Sequence, residues 1–223
     1  MRSKVFDYSF IGVGLLIQVV TFYISLSLNP HSLTPLSLIS GCLGVCSVCL
    51  ASQGNIFTYL FGFAQVLTYT YLCWTQRFYA EIAINAYYFG TMIYGVYVWR
   101  NRLTASGEHT VVPRVLPLRT ILLLAVAIGI GSWLTGWGLA SWTDDTQPYL
   151  DAFTTVPALV AQVLMILVFR EHWFIWLFVD ILSVILWLRA GDWCMATQYV
   201  FWCANCLYGL KRWQMLRATS SSR

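Results

Sequence analysis

Apolar runs of roughly membrane-crossing length follow one another along this chain, and the seventh, which opens WFIWLFVD at Trp173, ends that stretch on a carboxylate, Asp180. A helix needs about 20 apolar residues to cross the roughly 30 Å hydrocarbon core of a bilayer. Irregular backbone cannot face lipid there, because its polar groups would find no partner. These runs therefore predict a bundle of transmembrane helices. On a helix, Trp173, Trp176 and Asp180 fall at i, i+3 and i+7, which puts two indoles and one acid on a single face. A carboxylate at that depth costs a few kcal/mol or more unless it faces a cavity or a partner. Two readings follow: an Asp paired to a neighbouring helix for packing alone, or the acidic floor of a ligand site with aromatic walls. The second is preferred, since ionisable residues inside a membrane are functional by default.

Of 223 residues, 59% are hydrophobic and only 10% charged. A soluble domain carries about a quarter charged residues, so this is an integral membrane protein with little chain left for anything else. Apolar length and breakers predict helices at about 8–28, 36–51, 56–74, 79–99, 119–141, 151–169, 173–188 and 193–213. The breaks between them read Asn29-Pro30-His31-Ser32, Ser52-Gln53-Gly54-Asn55, Thr75-Gln76-Arg77, Asp144 to Pro148, Arg170-Glu171-His172 and Arg189 to Asp192. The run from Tyr8 to Leu28 follows Arg2 and Lys4, but it lacks a small-residue cleavage site and is too long for a signal peptide, so it is expected to be retained.

The net charge of +4 does not indicate nucleic acid, because the basic residues sit at helix ends rather than in a stripe. With eight crossings and a cytoplasmic N-terminus, eleven of the 13 basic residues lie inside and only Arg77 and Arg189 outside. Both termini are then cytoplasmic.

Two motifs repeat: Tyr94-Gly95 through Trp99 and Tyr208-Gly209 through Trp213 share Y-G-x-x-x-W, 114 positions apart, and the same offset carries Leu36 onto Leu150. Each half is then three helices of matching length, running the same way across the membrane as parallel repeats. The expected architecture is all-α and 3+1+3: an extra N-terminal helix in 1–35, a first three-helix bundle in 36–99, a cytoplasmic loop and linker helix in 100–149, a second bundle in 150–213 and a tail in 214–223.

Besides Asp180, the apolar helices contain Gln65, Asn85, Gln162, Gln198 and Asn205. Gln198 and Asn205, seven apart, share a face; buried amides of this kind serve either as hydrogen-bonding glue between helices or as ligand contacts. Tyr87, Tyr88 and Phe89 beside Asn85 offer further rings. Cys42, Cys46 and Cys49 share a face without a His or acid at metal spacing, so the seven cysteines are read as small packing residues. His31, His109 and His172 fall in loops and are expected to be solvated. Pro157 is a candidate kink in the sixth helix. No phosphate-binding loop, HExxH, nucleophile with a placed His or paired carboxylates at depth is present, which argues against ATP hydrolysis and against an enzyme. No metal or cofactor is called for.

The run from Glu171 to Trp213, with WFIWLFVDILSVI and QYVFWCANCLYGLKRW, together with YLFGFAQVL and YAEIAINAYYFGTMIYGVYVW in the first half, resembles the bacterial PnuC-type nicotinamide riboside transporters. The W-x-x-W-x-x-x-N/D pattern is the most specific element, and the likeness covers nearly the whole chain. The resemblance implies a fold like a full-length double of the small sugar-transporter bundles, and facilitated diffusion of a vitamin trapped inside by a cytoplasmic kinase. It puts Trp173, Trp176 and Asp180 on ligand-contacting positions and Asn85, Gln198 and Asn205 on polar positions of the bundle-closing helices; Gln65 and Tyr88 complete the candidate set. It also implies the bacterial inner membrane as location, with association into a homo-oligomer compatible with the sequence.

The substrate expected is nicotinamide riboside, whose flat cationic ring suits indole faces and a carboxylate, while its ribose suits the amides. The alternatives are thiamine or another B vitamin and, from a different class, an intramembrane enzyme or sensor. Eight crossings are directly testable: a reporter fused after Arg223 should read as cytoplasmic, and an external signal would remove one helix from the count.

Overall fold

The computed structural model describes residues 4–28, 35–76, 79–107, 109–144, 146–189 and 193–221. Among them the chain forms eight helices: α1 (Lys4–Leu28), α2 (Pro35–Ser52), α3 (Thr58–Gln76), α4 (Tyr79–Ser106), α5 (Leu118–Trp142), α6 (Pro148–Ile166), α7 (His172–Arg189) and α8 (Trp193–Ser221). Every expected helix is present. The boundaries differ where charge or proline misled the reading: α4 and α8 run on past Trp99 and Trp213, since Arg100 and Gln214 end an apolar run without ending a helix. The sixth helix starts at Pro148 rather than 151, proline being suited to a first helical turn. It ends at Ile166 rather than 169, and Pro157 lies inside it, buried, without terminating it. The expected breaks at 29–32, at Arg77 and at 190–192 lie outside the described residues.

Five helices, α1, α2, α5, α6 and α7, are long and apolar enough to cross a membrane by length and composition alone. The other three have 19, 28 and 29 residues and are long enough, but they are the ones that carry Gln65, Asn85, Gln198 and Asn205.

The chain divides into two compact units, Met1–Val112 with Ala218–Arg223, and Pro113–Arg217. In the first, α1 packs on α2, α2 on α3 and α3 on α4; in the second, α5 packs on α6 and α6 on α7.

Each unit contains the same tight turn between helices. After α2, Gly54 N–H donates to the Ala51 carbonyl at 2.9 Å and Asn55 N–H to that of Leu50 at 3.0 Å. After α6, Val168 N–H donates to Met165 at 3.0 Å and Phe169 N–H to Leu164 at 2.9 Å. Both turns cover the last carbonyls of a helix in the Schellman manner, which demands a left-handed residue at the corner. That residue is Gly54 at φ 70° in one and Val168 at φ 63° in the other. The corner carbonyls are used as well: Gly54 accepts from Val111 N–H at 3.0 Å and Val168 from Arg114 N–H at 2.8 Å. In the second unit Arg170 N–H returns a bond to the Arg114 carbonyl at 2.9 Å, and the Arg114 guanidinium lies 4.5 Å over the Phe169 ring. Glu171, buried, accepts from Leu116 N–H at 3.1 Å, with Arg170 3.7 Å from its other oxygen.

A left-handed conformation costs a residue with a side chain roughly 1–2 kcal/mol. Val168 tolerates it because its side chain is wholly buried, and burying a valine returns about 1.5–3 kcal/mol. Truncation there should break the usual order. Glycine is ordinarily about 0.5–1 kcal/mol worse than alanine inside ordered structure, but Val168→Gly should melt no lower than Val168→Ala, because only glycine also relieves the corner. Thermal melts of the two variants in detergent decide it; a clearly lower Gly variant would mean the corner is unstrained.

Candidate functional site

The second unit holds most of the residues singled out from the sequence. Trp173 begins their face on α7 and is 3% exposed; Trp176 is half-buried one turn on, and Asp180 one further turn along is again 3% exposed. Facing them, α8 brings Asn205, with no exposed surface, and Cys206, 4% exposed. The Cys206 thiol donates to Asp180 Oδ2 across 3.2 Å, which fixes the level at which α7 and α8 meet. Among the described residues Asp180 has no Lys, Arg or His partner. Gln198 is half-buried two turns before Asn205, and Gln162 is buried on α6.

Trp173 is held hard at its end of the face. Its ring meets that of Trp213 at 5.9 Å and 86°, edge to face, and that of His172 at 4.4 Å. Beneath the indole is Gly209, where an added Cβ would stand 2.6 Å from two ring atoms. The glycine is needed here for the close approach of ring to backbone. Trp173 Nε1 and His172 Nε2 both lack a hydrogen-bond partner among the described residues, so this aromatic cluster holds two buried polar groups left unsatisfied.

His172 corrects an expectation. Read from the sequence as a solvated loop histidine, it is fully buried as the first residue of α7. Its Nδ1 lies 2.7 Å from the Phe169 carbonyl and its ring packs edge-on to Trp213 at 4.6 Å. The turn that seemed to expose it folds back under the helix. His109 is exposed as expected, and His31 lies outside the described residues.

In the first unit, Asn85 is buried on α4 and Tyr88 half-buried, its ring 5.8 Å from that of Tyr87. Phe89 meets Phe63 of α3 edge to face at 5.2 Å. Gln65 lies against α2: its side chain is the nearest neighbour of Gly44, and its carbonyl accepts from Ser40 at 3.5 Å. This unit repeats the ring-on-glycine arrangement. Tyr59, buried, rests on Gly95 and meets Trp99 edge to face at 5.2 Å and 84°. Tyr59, Gly95 and Trp99 stand 114 positions before Trp173, Gly209 and Trp213. Y-G-x-x-x-W was visible in the sequence; the ring it seats was not, because Tyr and Trp do not look alike in a string.

Cys206 was read from the sequence as one of the small packing residues; the structure adds that its thiol bonds Asp180.

Apolar helices that bury a carboxylate with no basic partner among the described residues, on the unit that also carries indoles and amides, describe a multi-pass membrane protein with polar groups at depth. Comparison with known proteins agrees. The family described as nicotinamide mononucleotide transporter matches residues 34–215, and the chain belongs to that family, which is one of transporters rather than enzymes. It is 32% identical over 183 residues to the nicotinamide riboside transporter PnuC of Haemophilus influenzae, covering 81% of this chain and 80% of that one. To the PnuC of Neisseria mucosa it is 33% identical over 216 residues, covering 90% and 77%. A crystal structure of the vitamin B3 transporter PnuC superposes with a TM-score of 0.75 at 30% identity, over 96% of this chain and 92% of that one.

The seat of Trp173 makes a stability prediction. The indole is flanked by His172 and Trp213 and cannot step aside, so Gly209→Ala should overpack the site by roughly 1–3 kcal/mol. Trp173→Phe frees the space, and the double variant should lose clearly less than the two single losses combined. Additive losses in thermal melts would mean that ring and glycine do not bear on each other.

Proposed function

We propose that the protein carries nicotinamide riboside across the bacterial inner membrane by facilitated diffusion, with a cytoplasmic kinase trapping the product. The observation that carries this reading is Asp180: a buried acid that has a thiol but no basic residue against it, on the same helix face as two indoles. A fixed cation on a flat ring satisfies both features, through the carboxylate's charge and the ring faces of Trp173 and Trp176. Gln198 and Asn205 are the proposed partners of the ribose hydroxyls. For Asn85, Tyr88 and Gln65 the proposal stands on residue type and on the family resemblance.

The family name speaks of the mononucleotide and the relatives' names of the riboside, and charge separates the two. A phosphate monoester needs Arg, Lys or a helix N-terminus to receive it. Next to Asp180 it would meet a like charge instead. The riboside, with no phosphate, is therefore the form this site suits.

In architecture the reading is two three-helix bundles, α2 to α4 and α6 to α8, joined by α5 and preceded by α1, with both termini cytoplasmic. The matched corners Gly54 and Val168 and the matched ring seats on Gly95 and Gly209 support the repeat, and the distribution of Lys and Arg supports the orientation. The divisions at 35, 99, 149 and 213 follow from it.

The test uses purified full-length protein in vesicles without a kinase. Riboside uptake should level off at the external concentration. Unit charges about 6 Å apart at an effective dielectric near 20 interact by roughly 3 kcal/mol, of which about half should survive solvent rearrangement. Asp180→Asn should accordingly weaken binding of the cationic riboside about tenfold and of the uncharged reduced riboside much less. Accumulation of unmodified riboside above the external level under a proton gradient would overturn the uniport reading, and equal losses for both ligands would overturn charge recognition.

A further inference from the structure

We infer that Cys206 is a positioning residue that sets the charge specificity of the site, by holding the Asp180 carboxylate where a cationic ring meets it. The inference rests on the riboside reading and adds a residue to it. The geometry is the 3.2 Å contact from Sγ to Oδ2, made between two helices by two residues with almost no exposed surface. Among the described residues no basic group performs this task for Asp180.

The chemistry of the donor matters. An acid side chain on a helix turns about two bonds, and a carboxylate can accept at about four lone-pair sites on its two oxygens. One hydrogen bond from a neighbouring helix stops that rotation and occupies a single site, leaving the second oxygen to a ligand. A thiol is a weak donor and carries no charge, so it orients the acid without cancelling the charge on which recognition of a cation depends. A lysine or arginine at position 206 would cancel it. Cysteine is also among the most readily buried side chains, so Cys206 sits at this depth at little cost.

A packing role and a positioning role separate in the ratio of two affinities. Binding of nicotinamide riboside and of its uncharged reduced form is measured on the reconstituted full-length protein. Cys206→Ala should weaken the cation about fivefold, the size of an ordinary hydrogen bond's contribution, while the reduced form changes less than twofold. Cys206→Ser, which keeps a donor, should restore the ratio; Cys206→Val, which fills the space without one, should not. Should the Ala variant fail to fold, the Ser and Val pair carries the comparison. In an Asp180→Asn background, Cys206→Ala should leave the ratio where Asp180→Asn has put it. If Asp180→Asn shifts the ratio and Cys206→Ala or Cys206→Val does not, the role of Cys206 is overturned and the riboside reading stands. If Asp180→Asn itself leaves the ratio unmoved, charge recognition at Asp180 fails and the inference falls with it.

Discussion

Inside a bilayer the backbone has no water to fall back on, and most of what is regular about this protein follows from that one constraint. Helices meet it along their length. It is at their ends that the chain must improvise, and the two corners after α2 and α6 do so in the same way. Each folds its last carbonyls under a left-handed residue, and each passes the corner carbonyl to a strand-like segment from the stretch between α4 and α5. That Val168 endures a conformation proper to glycine is a measure of how strongly the corner is required.

Against that background, the two buried acids of α7 and the turn before it differ in the protein groups they meet. Glu171 is buried, yet its oxygens are spent on Leu116 N–H and near Arg170, close to the first turn of α7, where a negative charge also suits the helix dipole. Asp180 has no such company. The difference between two buried acids nine residues apart is not in their burial but in their partners.

How much of this could be read from the string alone depends on the range of the interaction. Helix number was legible because apolar length and turn residues are local. Ends were less so, since α4 and α8 continue through Arg100 and Gln214, where hydropathy stops but helical propensity does not. The shared face of Trp173, Trp176 and Asp180 was legible from spacing. The burial of His172 was not, because it depends on the path of the chain through Val168 and on a tryptophan 41 positions away. Nor was the thiol on Asp180, for it depends on the register of one helix against another, which no periodicity within either helix encodes.

That register has a mechanical consequence. The indole of Trp173 sits on the bare backbone of Gly209, and one turn earlier on the same helix the thiol of Cys206 reaches Asp180. Sliding α8 by a single residue displaces it about 1.5 Å along its axis, enough to drive a neighbouring side chain into the indole and draw sulfur and oxygen out of bonding range. Ring and thiol thus act as two pins through the same pair of rods. A motion that keeps both contacts has to carry α7 and α8 together, with any bending placed elsewhere in the chain.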